Sequence, residues 1–380
     1  MTRRIRVGLI FGGSSVEHEV SVVSARGIAA ALDPGRIECV PIAVTGEGAW
    51  LSPEASSRIL AGTADRVEPA AADASRIVAE PGDGLRTRDG EGRGESLRLD
   101  AVFCVMHGWG GEDGRVQGLL DLADVPYVGP GVLGSAVGMD KAVAKAVFER
   151  HGLPVAPWTS FVRSDYEDDP RAVVSGIESR LAFPVFVKPS NGGSSVGITK
   201  VASRAELPEA IDRALLCDRK VVVEEGLDAR EIECAVLGND RPEASVPGEI
   251  VPSREFYDYE AKYLDGTSRL LIPAPLEGAA AEEIRRLAVE AFRALDLAGM
   301  ARVDFFLGRT TGRIHLNEVN TLPGFTPISM YPKLWEASGL AYPDLLSRLV
   351  DLAVDRARSD RRRASRRSAP ELEGRVEGAG

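Results

Sequence analysis

Residues 301–327 read ARVDFFLGRTTGRIHLNEVNTLPGFTP. Two apolar runs of alternating character flank Gly308-Arg309-Thr310-Thr311-Gly312, the pattern of a β-hairpin with a short polar turn. Side chains on a strand alternate faces, so Arg302 and Asp304 share one face, as do Glu318 and Asn320 on the return strand. A roughly symmetric turn sets Asp304 about opposite Glu318. Two carboxylates facing each other at ~5 Å repel by ~3 kcal/mol at an effective dielectric of ~20. A divalent cation removes that penalty. Carboxylate plus amide oxygens are what hard Mg²⁺ prefers, its remaining ligands coming from a nucleotide's phosphates. The competing reading is a hairpin with two solvated acids on its outer face. An Asn two residues after the Glu, followed at once by Thr-Leu-Pro-Gly, favours a site.

At 380 residues the chain is long enough for two or three domains, and 44% apolar with 27% charged residues is ordinary for a globular protein. A formal net charge of −11 gives no general attraction to nucleic acid or anionic membrane, so neither is expected as a partner. Cys39, Cys104, Cys217 and Cys234 form no C-x-x-C pair, and His18, His107, His151 and His315 show no metal-ligand spacing. A structural zinc or a disulfide framework is not expected. No uncharged apolar run approaches the ~18–20 residues that cross a bilayer. The start, MTRRIRVGLIFGG, reads as a first strand rather than a cleaved leader. A cytoplasmic enzyme is the expectation.

The first part of the chain alternates strand and helix. Ile5–Phe11, 39–44 and 101–106 read as strands, and residues 16–32 and 119–121 as helices, the βαβ rhythm of a parallel sheet. Residues 53–98, rich in Ala, Gly, Glu and Asp, read as an insertion with weak structure of its own. A second unit follows with a helix over 141–151, strands over 184–188, 197–201 and 221–225, and a helix over 205–216. A third holds the hairpin and helices over 279–295 and 342–358. This gives an N-terminal α/β domain over 1–129, a central subdomain over 130–223, a C-terminal subdomain over 224–357, and a disordered tail over 358–380 whose RRRASRR cluster is a solvated run.

A second constellation, FPVFVKPSNGGSSVGITKV, spans 183–201. An apolar strand ends at Lys188, a Gly/Ser-rich loop follows, and another strand begins. Glycines let backbone N–H groups approach phosphate oxygens, and Ser194 and Ser195 add hydroxyl donors. A Walker loop puts its Lys after the glycines and leads into a helix, and no G-x-G-x-x-G is present. The stretch therefore reads either as a flap closing on a nucleotide or as a flexible hairpin with a surface lysine, and alone it favours neither. Lys141 starts a helix and can reach a phosphate or simply be solvated. Glu224, at a strand end, and Glu231 suit an adenine edge and a ribose hydroxyl, a weak signal in isolation.

With these pieces in order the chain closely resembles the ATP-grasp D-alanine–D-alanine ligases, from residue 5 to about 357, broken mainly at 53–98. The motifs are FGGSSVEHEVS at 11–21, HGWGGEDG at 107–114, MDK at 139–141, VKPSNGGSSVG at 187–197, FYDYEAKY at 256–263 and NEVNTLPGFTP at 317–327. The resemblance implies a three-domain ATP-grasp architecture, an α/β fold in which a parallel N-terminal βαβ domain precedes two α+β subdomains sandwiching ATP. It implies that ATP phosphorylates one D-alanine and that the amine of a second attacks the acyl phosphate, giving D-alanyl-D-alanine for the peptidoglycan precursor. Asp304, Glu318 and Asn320 would hold two Mg²⁺ (or Mn²⁺) ions. Lys141, Lys188, Ser194 and Ser195 would meet ATP phosphates, with Glu224, Leu227, Glu231 and Phe306 around the adenosine.

Arg302 and the backbone near Gly324 would stabilise the oxyanion. Glu17 would bind the first D-alanine's ammonium beside His107, and Lys262, Ser329 and Met330 would receive the second. Tyr263 would join Glu17 and Ser194 in a hydrogen-bonded set, and relatives that make D-alanyl-D-lactate lack its equivalent. For Glu17 the alternative is a capping box, since Ser14-Ser15-Val16-Glu17 precedes an apolar helix. Trp109 and Glu225-Gly226 depart from familiar members. A homodimer is implied too. Two other readings stand beside this one: another carboxylate–amine ligase of the same fold, and an inactive nucleotide-binding relic. The intact metal and lysine positions oppose the relic, and Glu17, Lys262, Tyr263 and Ser329 oppose a different ligase.

Overall fold

The computed structural model describes residues 3–68, 75–251 and 269–367. The first part runs β1 (Ile5–Gly12), α1 (His18–Ala31), β2 (Ile37–Val44), α2 (Pro53–Ala61), β3 (Arg76–Glu80), β4 (Gly84–Arg88), β5 (Ala101–Cys104) and α3 (Arg115–Leu122). β1 lies between β2 and β5, all parallel. Its last six residues are buried, as a strand covered on both faces must be. The described residues within 53–98 are more ordered than their composition suggests. Pro53 opens α2 behind Ser52, whose hydroxyl accepts the Ala55 N–H. β3 and β4 pair antiparallel, and Val67, Ile77, Leu85 and Leu97 are buried in the core. These apolar anchors are too widely spaced to show a period, so the expectation of weak structure fails.

Next come α4 (Val132–Met139), α5 (Lys141–Arg150), β6 (Trp158–Val162), α6 (Arg163–Asp168), α7 (Pro170–Glu178), β7 (Val185–Pro189), β8 (Thr199–Val201), α8 (Leu207–Cys217) and β9 (Lys220–Glu225). The strands form an antiparallel sheet in the order β6-β9-β7-β8. Val185, Val187, Val221 and Val223 pack with Ile177 of α7 and Ile211 of α8 into a separate core.

The last part is β10 (Ala229–Gly238), β11 (Glu243–Ala244), β12 (Gly248–Val251), β13 (Arg269–Leu271), α9 (Gly278–Ala294), β14 (Gly299–Gly308), β15 (Ile314–Asn320), α10 (Met330–Ala337) and α11 (Tyr342–Arg367). Its antiparallel sheet runs β13-β12-β10-β14-β15, with β11 pairing to β10. One face packs Ile232, Val303 and Phe305 against Ile284 and Phe292 of α9. Ala235, Leu237 and Met300 join Phe103, Tyr331, Leu345 and Leu349 in a core continuous with the N-terminal sheet. α11 continues past Arg358, where the sequence reading ends it, to Arg367. Arg356 donates to the carbonyls of Tyr127 and Gly129, and Arg361 pairs with Asp124, giving the polar end a surface to lie on. Residues 368–380 lie outside the described residues, as do Lys262 and Tyr263. Among the described residues no helix is long and apolar enough to cross a membrane.

Candidate active site

The hairpin forms as its alternation requires. Asp304 pairs in register with Glu318, and Arg302 with Asn320. On β14, Val303, Phe305 and Leu307 are buried while Arg302, Asp304 and Phe306 are half-buried on the other face. β15 carries a bulge: the register passes from Glu318 to Leu316 and skips Asn317. Leu316 and Val319 thereby both enter the core. Arg302 clamps Asp304 with two hydrogen bonds of 2.8 Å and lies 3.0 Å from Glu233. Asn320 Nδ2 donates to Asp304 Oδ2 at 2.9 Å, and Lys141 Nζ stands 3.5 Å from Glu318. Among the described residues no three His, Cys, Asp or Glu side chains form a metal cluster. The donors here are two carboxylates and one amide, whose oxygen faces a cation after half a turn about its terminal torsion. That set suits a hard cation taking its other ligands from phosphate.

One wall of the site is built by α5 and the flap. Asp140 caps α5 by accepting the Val143 N–H, accepts the Ser190 hydroxyl, and pairs with Lys220 at 2.5 Å. Burial raises the Asp140 carboxyl, but Lys220 and Ser190 outweigh it and hold it below the usual range. Lys141 is thus fixed at the helix start, where its Nζ donates to the Gly192 carbonyl of the flap at 2.8 Å. The flap joins antiparallel β7 and β8. Ser194 and Ser195 both sit in the left-handed region, at φ 51° and 60°, a strained pair for L-residues. Lys188 does not stand free: its Nζ pairs with Glu224 at 3.0 Å, and Lys145 approaches the same Glu224 oxygen at 3.3 Å. Glu231 and Phe306 face each other across β10 and β14, with Leu227 in the loop that leads into β10.

Glu17, His107, Lys141, Ser194, Arg302, Glu318, Asn320, Gly324, Ser329 and Met330 gather around one cleft. Glu17 stands at the N-cap of α1 but makes no capping bond there. It instead accepts the Ser194 hydroxyl across the cleft at 2.6 Å. That removes the capping-box alternative. A Cβ on Gly193 would come within 3.1 Å of Glu17 Oε2, so the flap needs its small residue to approach this closely. His18 donates from Nδ1 to the Gly13 carbonyl and accepts the Val67 N–H at Nε2, pinning the loop that carries Glu17 to the insertion. His107 shares a hydrogen bond of 3.2 Å with the Leu322 carbonyl through Nδ1, while its buried Nε2 has no partner among the described residues. Burial pushes its basicity down, though the nearby Glu17 opposes this.

Gly324 is fixed by Ser329: a Cβ there would lie 2.7 Å from Ser329 Oγ. That hydroxyl also accepts the Thr326 N–H at 2.9 Å. Met330 is almost fully buried, so its side chain serves the core beneath the cleft. Three residues in or beside the cleft escaped the sequence reading. Glu112 accepts N–H bonds from Gly108 and Leu322, and burial, reinforced by Glu17, pushes its carboxyl up to about 8. It lies within HGWGGEDG, which was legible as a motif. Glu233 follows Glu231 by two on the same strand face, and Lys145 follows Lys141 by one helical turn; those spacings were the available signals.

Models of the D-ala D-ala ligase N-terminus and C-terminus match residues 6–130 and 147–351. The chain belongs to the D-alanine–D-alanine ligase family. The D-alanine–D-alanine ligase of Acetivibrio thermocellus is 47% identical over 363 residues, 92% of this chain and 96% of that protein. That of Heliobacterium modesticaldum is 48% identical, covering 95% and 98%. Among solved structures, the D-alanine–D-alanine ligase of Coxiella burnetii superposes with a TM-score of 0.82 at 35% identity, covering 99% of this chain and 100% of that one. The VanG D-Ala:D-Ser ligase of Enterococcus faecalis gives 0.79 at 34% identity, covering 92% and 100%. Family membership and the α/β architecture therefore agree with the resemblance in the sequence.

Proposed function

We propose that the protein joins two D-alanines into D-alanyl-D-alanine at the expense of ATP, through a D-alanyl phosphate, for peptidoglycan precursor synthesis. The observation that carries this is the Glu17–Ser194 hydrogen bond, which unites the first loop and the flap in the cleft that also holds Arg302 and Ser329. Residues 1–129 supply the first amino acid's site, and 130–223 and 224–357 enclose the nucleotide. Glu17 is the anion for the first D-alanine's ammonium, and the open Nε2 of His107 is an acceptor beside it. Lys141 and Lys188, with the hydroxyls of Ser194 and Ser195, neutralise and align the phosphates, and Glu224, Leu227, Glu231 and Phe306 receive the adenosine. Mg²⁺ or Mn²⁺ held by Asp304, Glu318 and Asn320 would supply charge neutralisation on those phosphates. Arg302 and the backbone at Gly324 meet the negative charge on the carbonyl oxygen as the second amine attacks. Lys262, Ser329 and Met330 receive that second amino acid, and Tyr263 completes the set with Glu17 and Ser194.

The reading places the enzyme in the cytoplasm, where ATP is, as a homodimer. Exposed Leu122 and Leu133 on α3 and α4 supply apolar surface for pairing. A different acceptor is the second reading, favoured by the likeness to a D-Ala:D-Ser ligase. Products formed from ATP, Mg²⁺ and equal D-alanine, D-serine and D-lactate, resolved by mass spectrometry, decide between them. D-Alanyl-D-alanine should dominate at neutral pH, with a larger depsipeptide share after Tyr263→Phe. A wild type making mainly the D-serine or D-lactate product would overturn the acceptor assignment, and no D-alanine-dependent phosphate release would overturn the ligase.

A further inference from the structure

Glu224 lies at the end of β9 with its side chain almost wholly buried, and two ammonium groups share one of its oxygens. Lys188 Nζ, from β7, is 3.0 Å from Oε2, and Lys145 Nζ, from α5, is 3.3 Å from the same atom. The two lysines are not equivalent. Lys188 lies at the flap's root, with 10% of its side chain exposed, whereas Lys145 is 1% exposed. Lys145 has a second anchor: it donates to the Asn317 carbonyl at 3.1 Å. Asn317 is the residue that the β15 bulge drops from the register, so its carbonyl faces Lys145 next to Glu318. Glu224 Oε1 is buried and has no hydrogen-bond partner among the described residues.

We propose that Lys145 is a positioning residue for nucleotide binding, the standing counter-ion of Glu224 that frees Lys188 to turn to the phosphates. The inference rests on the nucleotide reading given above for Lys188 and Glu224. A lysine that must serve a phosphate cannot also be the sole partner of a buried carboxylate, because leaving would strand that charge. Lys145, held by a fixed backbone carbonyl, keeps Oε2 partnered when Lys188 departs, and leaves Oε1 as an acceptor for a donor on the ligand. Burial lowers the basicity of Lys145 while Glu224 raises it, and the two lysines together outweigh the burial of Glu224 and hold it ionised. Through Asn317 the same lysine ties the nucleotide pocket to the strand that carries Glu318 and Asn320.

The test is the steady-state rate of phosphate release by the full chain with ATP, Mg²⁺ and D-alanine. Lys145→Met should raise the KM for ATP about tenfold, with the KM values for D-alanine within about twofold of the wild type. An unchanged KM for ATP overturns the proposal. So does a parallel rise of all KM values with a lowered Tm, the mark of a merely structural lysine. Should Lys145→Met not fold, Lys145→Met/Glu224→Gln removes both charges together and is compared with Glu224→Gln. Equal KM values for ATP in those two support the proposal, and a further rise in the double variant overturns it. Lys188→Met distinguishes the levels. If it leaves the KM for ATP unchanged, the nucleotide reading falls and this inference with it. If it raises that KM while Lys145→Met alone does not, this inference alone falls.

Discussion

Asp304 and Glu318 are paired by the strand register, yet each carries a cationic neighbour, Arg302 and Lys141. Those neighbours offset the repulsion between the two acids. Asp304→Ala and Glu318→Ala should each lower phosphate release by at least ~100-fold, with thermal unfolding within a few degrees of the wild type. Near-normal turnover at limiting Mg²⁺ in either variant contradicts the metal assignment. Glu112 makes a second prediction, in pH. Its carboxyl is raised from 4.5 to about 8 in the folded chain, so the proton stays on in the native state after the unfolded chain has lost it. The stability it contributes is complete below pH 4.5 and is lost as pH rises through about 8. Glu112→Gln should therefore flatten the fall of Tm between those limits, and an unchanged Tm–pH profile counts against a neutral Glu112.

The elements divide by how local their causes are. The β14–β15 hairpin was legible because alternation and turn residues are written within twenty-odd residues ~ one supersecondary unit, and its facing acids fell where the spacing set them. The flap was legible as a loop between strands, because Lys188 precedes the glycines. Its left-handed Ser194 and Ser195 were not, and Glu17, the partner of Ser194, lies far away in sequence. Lys145 and Glu112 were missed for the same reason: their partners, Glu224 and the Leu322 N–H, come from other elements. The order in 53–98 rests on four scattered buried residues and a capped helix rather than on a period. At this scale the flap's anchoring predicts a dynamic response. Backbone amides of Gly192–Val196 should gain hydrogen-exchange protection with ATP analogue, Mg²⁺ and D-alanine; unchanged protection argues against closure.

At the scale of the whole molecule, α11 straps the last sheet's layer to the first. Arg356 donates to two carbonyls, at 2.5 Å to Gly129 and 3.0 Å to Tyr127, and stacks 4.7 Å over the Tyr127 ring. Arg356→Ala should cost about 2 kcal/mol and several degrees of Tm; a Tm equal to the wild type would show the strap to be idle. The cores described above have one more consequence, for heat. The N-terminal sheet and one face of the last sheet share a continuous apolar interior, whereas the β6-β9-β7-β8 sheet with α7 and α8 has its own. An interior that shares no buried apolar residue with the other two clusters is a cooperative block of its own. A calorimetric scan of the ligand-free protein should resolve two endotherms. A ligand seated between the blocks draws on both, so a nucleotide with Mg²⁺ should raise the lower one more and fuse the pair into a single, sharper peak.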